Sequence, residues 1–161
     1  MSNPVVAFET SLGNFEVELY QEQAPVTVKN FLQYVNDKFY DNTIFHRVIN
    51  GFMVQGGGFD VSGTQKPTRA TIKNESGNGA KNVKYSIAMA RTADLNSATA
   101  QFFINVADNA FLDDNKYCAF GLLTSGSDTI DKIKAVKTGS KGGSKDWPVE
   151  NVVLQSARVK A

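Results

Sequence analysis

The chain carries one histidine, His46, and one cysteine, Cys118. That inventory removes most catalytic constellations. A zinc site of the usual kind takes three or four His, Cys or carboxylate ligands. The carboxylates here are scattered, with Glu16 and Glu18 along one strand and Asp113 and Asp114 in a loop. A serine triad has only His46 to draw on, and no Gly-x-Ser-x-Gly elbow is present. Cys118 sits in the apolar run Tyr117-Cys118-Ala119-Phe120, where a small buried hydrophobe is expected. As a nucleophile it would need His46 as its base. Gly56-Gly57-Gly58 is followed by no Lys-Ser/Thr pair and opens no helix, so it is not a phosphate loop. No metal and no cofactor is expected.

What remains is Arg47, next to His46 in the run FYDNTIFHRVINGFMVQGG, residues 39–57. A charge within an alternating apolar strand is costly if buried, unless it has a partner or a task. Two strands, residues 43–49 and 53–56, flank Asn50-Gly51. A three-residue loop over 50–52 pairs Arg47 with Gln55 and Ile49 with Met53. Paired residues share a face, so Gln55 can then hold the guanidinium by a hydrogen bond beside the Met53 thioether. A two-residue loop instead pairs Arg47 with Val54 and separates the polar groups. The pattern admits both registers.

The rest of the chain must position that arginine. Residues 5–10 and 15–19 read as strands across a turn. Phe15, Val17 and Leu19 share one face, which makes a hairpin with one wet side. Gln23-Ala24-Pro25 opens a helix, with proline suited to its first turn. Val28, Phe31, Leu32 and Val35 form one apolar stripe, and the helix is expected to end near Asn36 or Asp37. Residues 57–79 lack periodicity and read as a long surface excursion, of a length that is often functional. Strands are expected over 85–90, 101–106, 117–124 and 152–159. Residues 91–100 and 108–116 read as loops. A second helix starts at 126–128 with Ser127 as its N-cap. Residues 138–145 read as a flexible loop with solvated lysines, and Trp147 as a packing residue at the start of the last strand. About eight strands and two helices, without strand–helix–strand repeats, make a mainly β protein. The expected fold is an antiparallel sheet closed into a barrel, which removes its edges, with the helices capping its ends.

The totals agree with one domain over residues 1–161, long enough for a sizeable core. With 42% apolar residues and a net charge of +1, the chain is not a disordered polyelectrolyte. Nor does it offer an electrostatic reason to bind nucleic acid or an acidic membrane. MSNPVVAFE has no basic region followed by an apolar stretch, and no window approaches the length of a membrane span. One cysteine makes no internal disulfide. A soluble, cytoplasmic monomer is expected. Most of the eleven phenylalanines are expected to fill the core, which argues against a barrel that carries a lipophilic ligand inside.

Three blocks in order carry a resemblance. The first is Phe39-Tyr40, Phe45-His46-Arg47-Val48-Ile49, Phe52-Met53 and Gln55-Gly56-Gly57. The second is Ser86-Ile87-Ala88-Met89-Ala90 with Gln101-Phe102-Phe103-Ile104. The third is Phe111-Leu112-Asp113 with Phe120-Gly121. Together they resemble the cyclophilin family of peptidyl-prolyl isomerases, in particular its compact bacterial cytoplasmic branch, over roughly residues 5–159. The resemblance implies an eight-stranded antiparallel barrel capped by two helices, with a substrate groove on its outer surface, and the Arg47–Gln55 register. It implies Arg47 as the catalytic residue and Phe52, Met53, Phe103 and Leu112 as the proline pocket. Gln55, Ala90, Arg91 and Gln101 would line the groove for the peptide backbone. His46 is expected to be a hydrogen-bonded structural histidine. Three positions depart from the best-known pattern. Phe111 replaces a tryptophan whose N–H contacts cyclosporin, Tyr117 replaces a pocket histidine, and Arg91 replaces an asparagine. The pocket stays apolar, so proline binding is expected to persist while affinity for cyclosporin weakens.

The implied partners are proline-containing peptides and unfolded or folding proteins. Rotation about a peptide bond faces a barrier of ~18–20 kcal/mol from amide resonance. An X–Pro bond exchanges over tens to hundreds of seconds. A donor aimed at the prolyl nitrogen favours the twisted state, in which the nitrogen lone pair is released. The competing expectation is a proline-peptide binding module or holdase, which could dispense with Arg47.

Overall fold

The structure is a computed structural model that describes residues 3–160. Residues 1, 2 and 161 of the expected domain lie outside them. The chain opens with β1 (Val5–Thr10), β2 (Gly13–Leu19) and α1 (Pro25–Asn36). Four short strands follow: β3 (Thr43–Ile44), β4 (Arg47–Ile49), β5 (Met53–Gly56) and β6 (Phe59–Asp60). Next come β7 (Ser86–Met89), β8 (Phe102–Asn105), the short α2 (Ala110–Asp114), β9 (Ala119–Ser125) and α3 (Ser127–Lys134). The chain then runs through β10 (Thr138–Lys141), β11 (Ser144–Pro148) and β12 (Val153–Val159).

Ten strands make one curled antiparallel sheet in the order β4-β5-β8-β7-β9-β2-β1-β12-β3-β6. The expected mainly antiparallel barrel with helices is there, but its closure differs. The end strands β4 and β6 share no ladder, so the sheet is open as a hydrogen-bonded surface. The chain itself stitches the seam. Phe45-His46 crosses from β3 to β4, and Gly57-Gly58 crosses from β5 to β6. The crossings lie so close that a Cβ on Gly56 would sit 3.0 Å from the Ile44 carbonyl oxygen. Only glycine fits there.

Inside the curl, alternation does the work expected of it. Val6, Phe8, Phe15, Val17 and Leu19 point inward from β1 and β2 and are buried. Phe8 stacks on Phe15 at 4.6 Å, and Phe31 brings the apolar stripe of α1 against Phe8, Tyr40, Phe102 and Phe120. Phe102, Phe120 and Tyr40 are fully buried. The interior is packed with rings, so the phenylalanines of this group are core.

Several segments differ from their sequence reading. Residues 138–145 are not a loop, because β10 and β11 pair as a separate hairpin. Its residues are mostly exposed and carry no apolar alternation to betray them. Trp147 lies inside β11, with its ring 5.4 Å from Phe59 and 5.6 Å from His46. Phe111 and Leu112 stand on a helical turn, α2, too short to show a period. Ser127 is the first residue of α3, and the N-cap is Gly126 at φ +86°. A Cβ there would meet the Asn14 carbonyl at 2.3 Å. Among the described residues no helix is long and apolar enough to cross a membrane.

The excursion after β6 is anchored. Helix α1 has Ala24 at its N-cap, with no side chain to satisfy the first amides. Glu75 does so from 48 residues away. It accepts from Val26 N–H at 3.2 Å, Thr27 N–H at 2.6 Å and the Thr27 hydroxyl at 2.7 Å. A carboxylate at a helix N-terminus gains from both the free donors and the dipole. Glu75→Ala is therefore expected to lower the stability by about 1–2 kcal/mol, read as a lower urea midpoint.

Candidate functional site

Strands β7 and β8 are buried on both faces, and β5 is too except at the half-buried Gln55, which is unusual for an antiparallel sheet. Their inner residues Val54, Ile87, Met89, Phe102 and Ile104 belong to the core. Their outer residues Met53, Ala88 and Phe103 form a second cluster with Leu112 from α2 and Ala119 from β9. A cavity of about 110 Å³ opens on this outer cluster. It is lined by Arg47, Phe52, Met53, Gln55, Ala90, Arg91, Phe103, Leu112 and Tyr117. It is far smaller than a cofactor site and matches one ring-sized apolar group.

The hairpin register is settled by β4 and β5. Arg47 pairs with Gln55, Val48 with Val54 and Ile49 with Met53. Phe52 N–H donates to the Ile49 carbonyl at 3.0 Å and closes the three-residue loop. Parity then sends Val48 inward and Arg47 outward. Arg47 is exposed rather than buried in a strand, so it bears little desolvation cost. Gln55 does not hold it. Gln55 Nε2 instead donates to Gln101 Oε1 at 2.8 Å, a partner 46 residues away that pairing within the hairpin cannot reveal. Among the described residues the Arg47 guanidinium has no hydrogen bond or ion pair.

The other expected site residues divide by position. Phe103 and Tyr117 meet edge to face at 6.0 Å. The Arg91 guanidinium lies 4.3 Å over the Tyr117 ring and donates to the Asn115 carbonyl at 2.5 Å and the Thr92 carbonyl at 2.9 Å. Arg91 is thus tied down, unlike Arg47. Phe111 is half exposed, and it stacks on Phe52 at 5.5 Å as an outer lip beyond the cavity lining. Gln101 also stands outside the cavity. It lines a neighbouring polar depression of about 170 Å³ with Gln55, Ala90, Arg91, Thr92 and Ser97 among others. Shared walls at Gln55, Ala90 and Arg91 make the two depressions one continuous groove on the outer surface.

His46 is buried, and its Nδ1 has no partner among the described residues. The expected hydrogen bond is absent. The ring packs instead on Phe59 at 4.5 Å and on Trp147. Burial, with the Arg47 charge next to it, lowers its pKa from 6.5 to about 4. The unfolded chain therefore takes up a proton near pH 6.5 that the folded chain refuses until about pH 4. Stability is full above that window and falls as pH drops through it. Between pH 7 and pH 5 the wild type is expected to lose about 2 kcal/mol more than His46→Phe in urea unfolding. NMR of this single imidazole reads the midpoint directly. Cys118 is buried, its thiol pushed up by desolvation, in keeping with a small core residue.

Three residues were invisible to sequence reasoning: Asn82, Asn105 and Asn109. All three are buried. The one available signal was Asn105, an amide two residues from Phe103 in the strand QFFINV, which is buried on both faces. Such a residue needs partners.

The assembled site offers an apolar cup, one unpaired guanidinium at its rim and a polar groove running away from it. Among the described residues no cluster of His, Cys, Asp or Glu has the arrangement of a metal site. The chemistry available is electrostatic.

Comparisons with known proteins bear on this geometry. The sequence model described as "Cyclophilin type peptidyl-prolyl cis-trans isomerase/CLD" matches residues 5–159. The chain is 53% identical over 161 residues to peptidyl-prolyl cis-trans isomerase cyp18 of Streptomyces antibioticus, covering 96% of this chain and 97% of the relative. It is 50% identical over 162 residues to peptidyl-prolyl cis-trans isomerase B of Escherichia coli K12, covering 96% and 99%. A crystal structure of a Cryptosporidium parvum cyclophilin-type isomerase in the presence of the dipeptide Ala-Pro superposes with a TM-score of 0.82. It shares 26% identity and covers 98% of this chain and 99% of the other.

Proposed function

The chain belongs to the cyclophilin-type peptidyl-prolyl cis-trans isomerases, and from that premise we propose how this site turns a prolyl bond. The enzyme accelerates cis–trans rotation about X–Pro bonds. In our reading the proline ring of the substrate enters the cup of Phe52, Met53, Phe103 and Leu112, with Tyr117 as its far wall and Phe111 as its lip. The peptide backbone lies along Gln55, Ala90, Arg91 and Gln101. Arg47 then faces the prolyl nitrogen.

The observation that carries this is the unpaired guanidinium of Arg47 beside an apolar cup. In the planar ground state the nitrogen lone pair is delocalised into the carbonyl and accepts poorly. As the bond twists, the lone pair localises and becomes an acceptor. A donor waiting there binds the twisted state better than either planar isomer, which is what catalysis requires. No bond is made or broken, and no proton is transferred. The cup anchors one side of the bond while the other side turns. Because Arg47 has no partner among the described residues, none of them must be given up when the nitrogen presents itself.

One domain over residues 1–161 acting as a monomer fits the single curled sheet. A cytoplasmic site of action fits the one free, buried cysteine. Folding chains with exposed prolines are the natural substrates, which makes the enzyme an aid to folding. Cyclosporin is expected to bind weakly, since Phe111 has no N–H to offer.

Titration with Ala-Pro or a proline tetrapeptide, followed by NMR, tests the placement. Amides of Phe52, Phe103, Leu112 and Tyr117 are expected to shift together. A second depression of about 530 Å³ runs along α1 past Pro25, Val28, Leu32 and Asn36, and shifts centred there instead would refute it.

A further inference from the structure

Beneath the proline cup lies a set of buried amide side chains that the mechanism does not use. Asn105 follows Phe103 by two residues on β8, so both point to the outer face of the sheet. Phe103 is the floor of the cup, and Asn105, fully buried, is its continuation. Its carboxamide is saturated on both sides. Nδ2 donates to Asn82 Oδ1 at 3.0 Å and to Ser86 Oγ at 2.9 Å, and Oδ1 accepts from Asn109 Nδ2 at 2.8 Å.

One end of this network, Ser86 Oγ, donates to the Val83 carbonyl at 2.7 Å, and the others reach the cup or its neighbour Asp113. Asn109 Nδ2 donates to the backbone carbonyl of Phe52 at 2.8 Å. Asn82 Nδ2 donates to the carbonyl of Tyr117 at 3.1 Å. Asn82 also donates twice to Asp113 Oδ1, from its backbone and its side chain, each at 2.9 Å. Asp113 is the neighbour of Leu112 on α2. Asn109 N–H in turn donates to the Asn82 carbonyl at 2.8 Å. Phe52 leads into β5 and its carbonyl also accepts from Val106 N–H at 3.0 Å, just past β8, whereas Leu112 and Tyr117, joined by a 2.9 Å bond from Tyr117 N–H to the Leu112 carbonyl, lie on the α2 segment outside any ladder.

We infer that Asn82, Asn105 and Asn109 are positioning residues that hold the Phe52, Leu112 and Tyr117 walls at a fixed distance from the Phe103 floor. This rests on the cup being the proline pocket. A small apolar cup selects a ring only if its walls are set beforehand, since ordering them on binding would cost affinity. Buried amides suit the task because their geometry is directional and a half-satisfied network is costly. A buried apolar filler would support the same loops without fixing where the carbonyls stand. Arg47 is outside the network, on the edge strand β4, so the network governs binding rather than the twisting step.

The test compares Asn109→Ala, Asn82→Ala and Phe103→Ala with the wild type. The dissociation constant of a proline tetrapeptide is measured by NMR titration, and kcat by an isomerisation assay. Both asparagine variants are expected to bind about tenfold more weakly, the scale of one net hydrogen bond. Their kcat is expected to stay within about twofold of the wild type. A merely structural role would lower the unfolding midpoint and leave the dissociation constant alone. If Phe103→Ala weakens binding while neither asparagine variant does, the inference is wrong and the cup stands. If none of the three weakens binding, the cup is not the proline pocket and the inference falls with it. A loss confined to kcat also overturns the positioning role. Should both asparagine variants fail to fold, wild-type hydrogen exchange decides. Saturating tetrapeptide slows exchange at the Asn82 and Asn109 amides if network and cup open together, and unchanged exchange there overturns the inference.

Discussion

Arg47→Ala is expected to lower kcat/KM for a proline tetrapeptide by about 10²–10³-fold, the usual cost of removing one preorganised donor from a developing acceptor. That corresponds to about 2.7–4 kcal/mol of transition-state stabilisation. Peptide affinity is expected to change by less than about threefold, because the planar ground state offers the guanidinium little to bind. The fold has no reason to respond. Arg47 is exposed and bonded to nothing among the described residues, so its removal leaves no orphaned partner and stability is expected to hold within about 0.5 kcal/mol. Arg47→Lys separates charge from geometry. A lysine keeps the positive charge but loses the rigid planar fork, so partial recovery is expected. An alanine variant that turns over like the wild type would place the driving force elsewhere in the groove.

The largest stability effect is expected one residue away from the cup. Phe102→Ala is expected to cost about 3–5 kcal/mol, a large share of the ~5–15 kcal/mol that holds a typical domain together. Phe102 is fully buried and sits among four rings, with centroids at 5.8 Å to Phe8, 5.6 Å to Phe31, 5.4 Å to Tyr40 and 6.1 Å to Phe45. Most of these contacts are edge-on or tilted, arrangements that add to simple area burial. Rings anchored on α1, β1 and the seam cannot all collapse into the hole, so a cavity remains. Urea unfolding measures the loss, and a cost below about 1 kcal/mol would mean the core refills. Its neighbour Phe103 points the other way. Truncating Phe103 opens an existing cup and should damage binding more than stability. Strand parity alone thus puts one of two adjacent phenylalanines in the core and the other in the cup.

Parity explains much of what was legible in the sequence. The β1–β2 hairpin and the stripe of α1 announce themselves because each has one wet face. The outward position of Arg47 also follows from alternation, although the choice between two registers needed the family resemblance. Illegible features share a different cause. The β10–β11 hairpin buries only its Trp147-Pro148 end, and the rest is mostly exposed, so TGSKGGSK carries no apolar signal. Helix α2 is a single turn. Gln101 competes with Arg47 for Gln55 because β8 pairs with β5, a fact of sheet order rather than of local spacing. The asparagine network joins residues 82, 105, 109 and 113 through side-chain directions that no periodicity encodes. His46 escaped for a related reason: with no hydrogen bond among the described residues, it packs on aromatic faces, and those come from β6 and β11.

The stitched seam has a consequence for how the molecule folds. Strands β3 and β4 are separated by two residues in the chain yet stand near opposite ends of a ten-strand sheet. No ladder can zip directly from one to the other. The two intervening residues keep them close at every stage, but the ladder route between them runs through β12, β1, β2, β9, β7, β8 and β5 and is complete only when all of these have found their neighbours. Pairings of such large sequence separation are slow, because loop entropy is lost before contacts repay it. Arg47 is the first residue of β4, and its place beside the cup comes from the local β4–β5 hairpin rather than from that long arc.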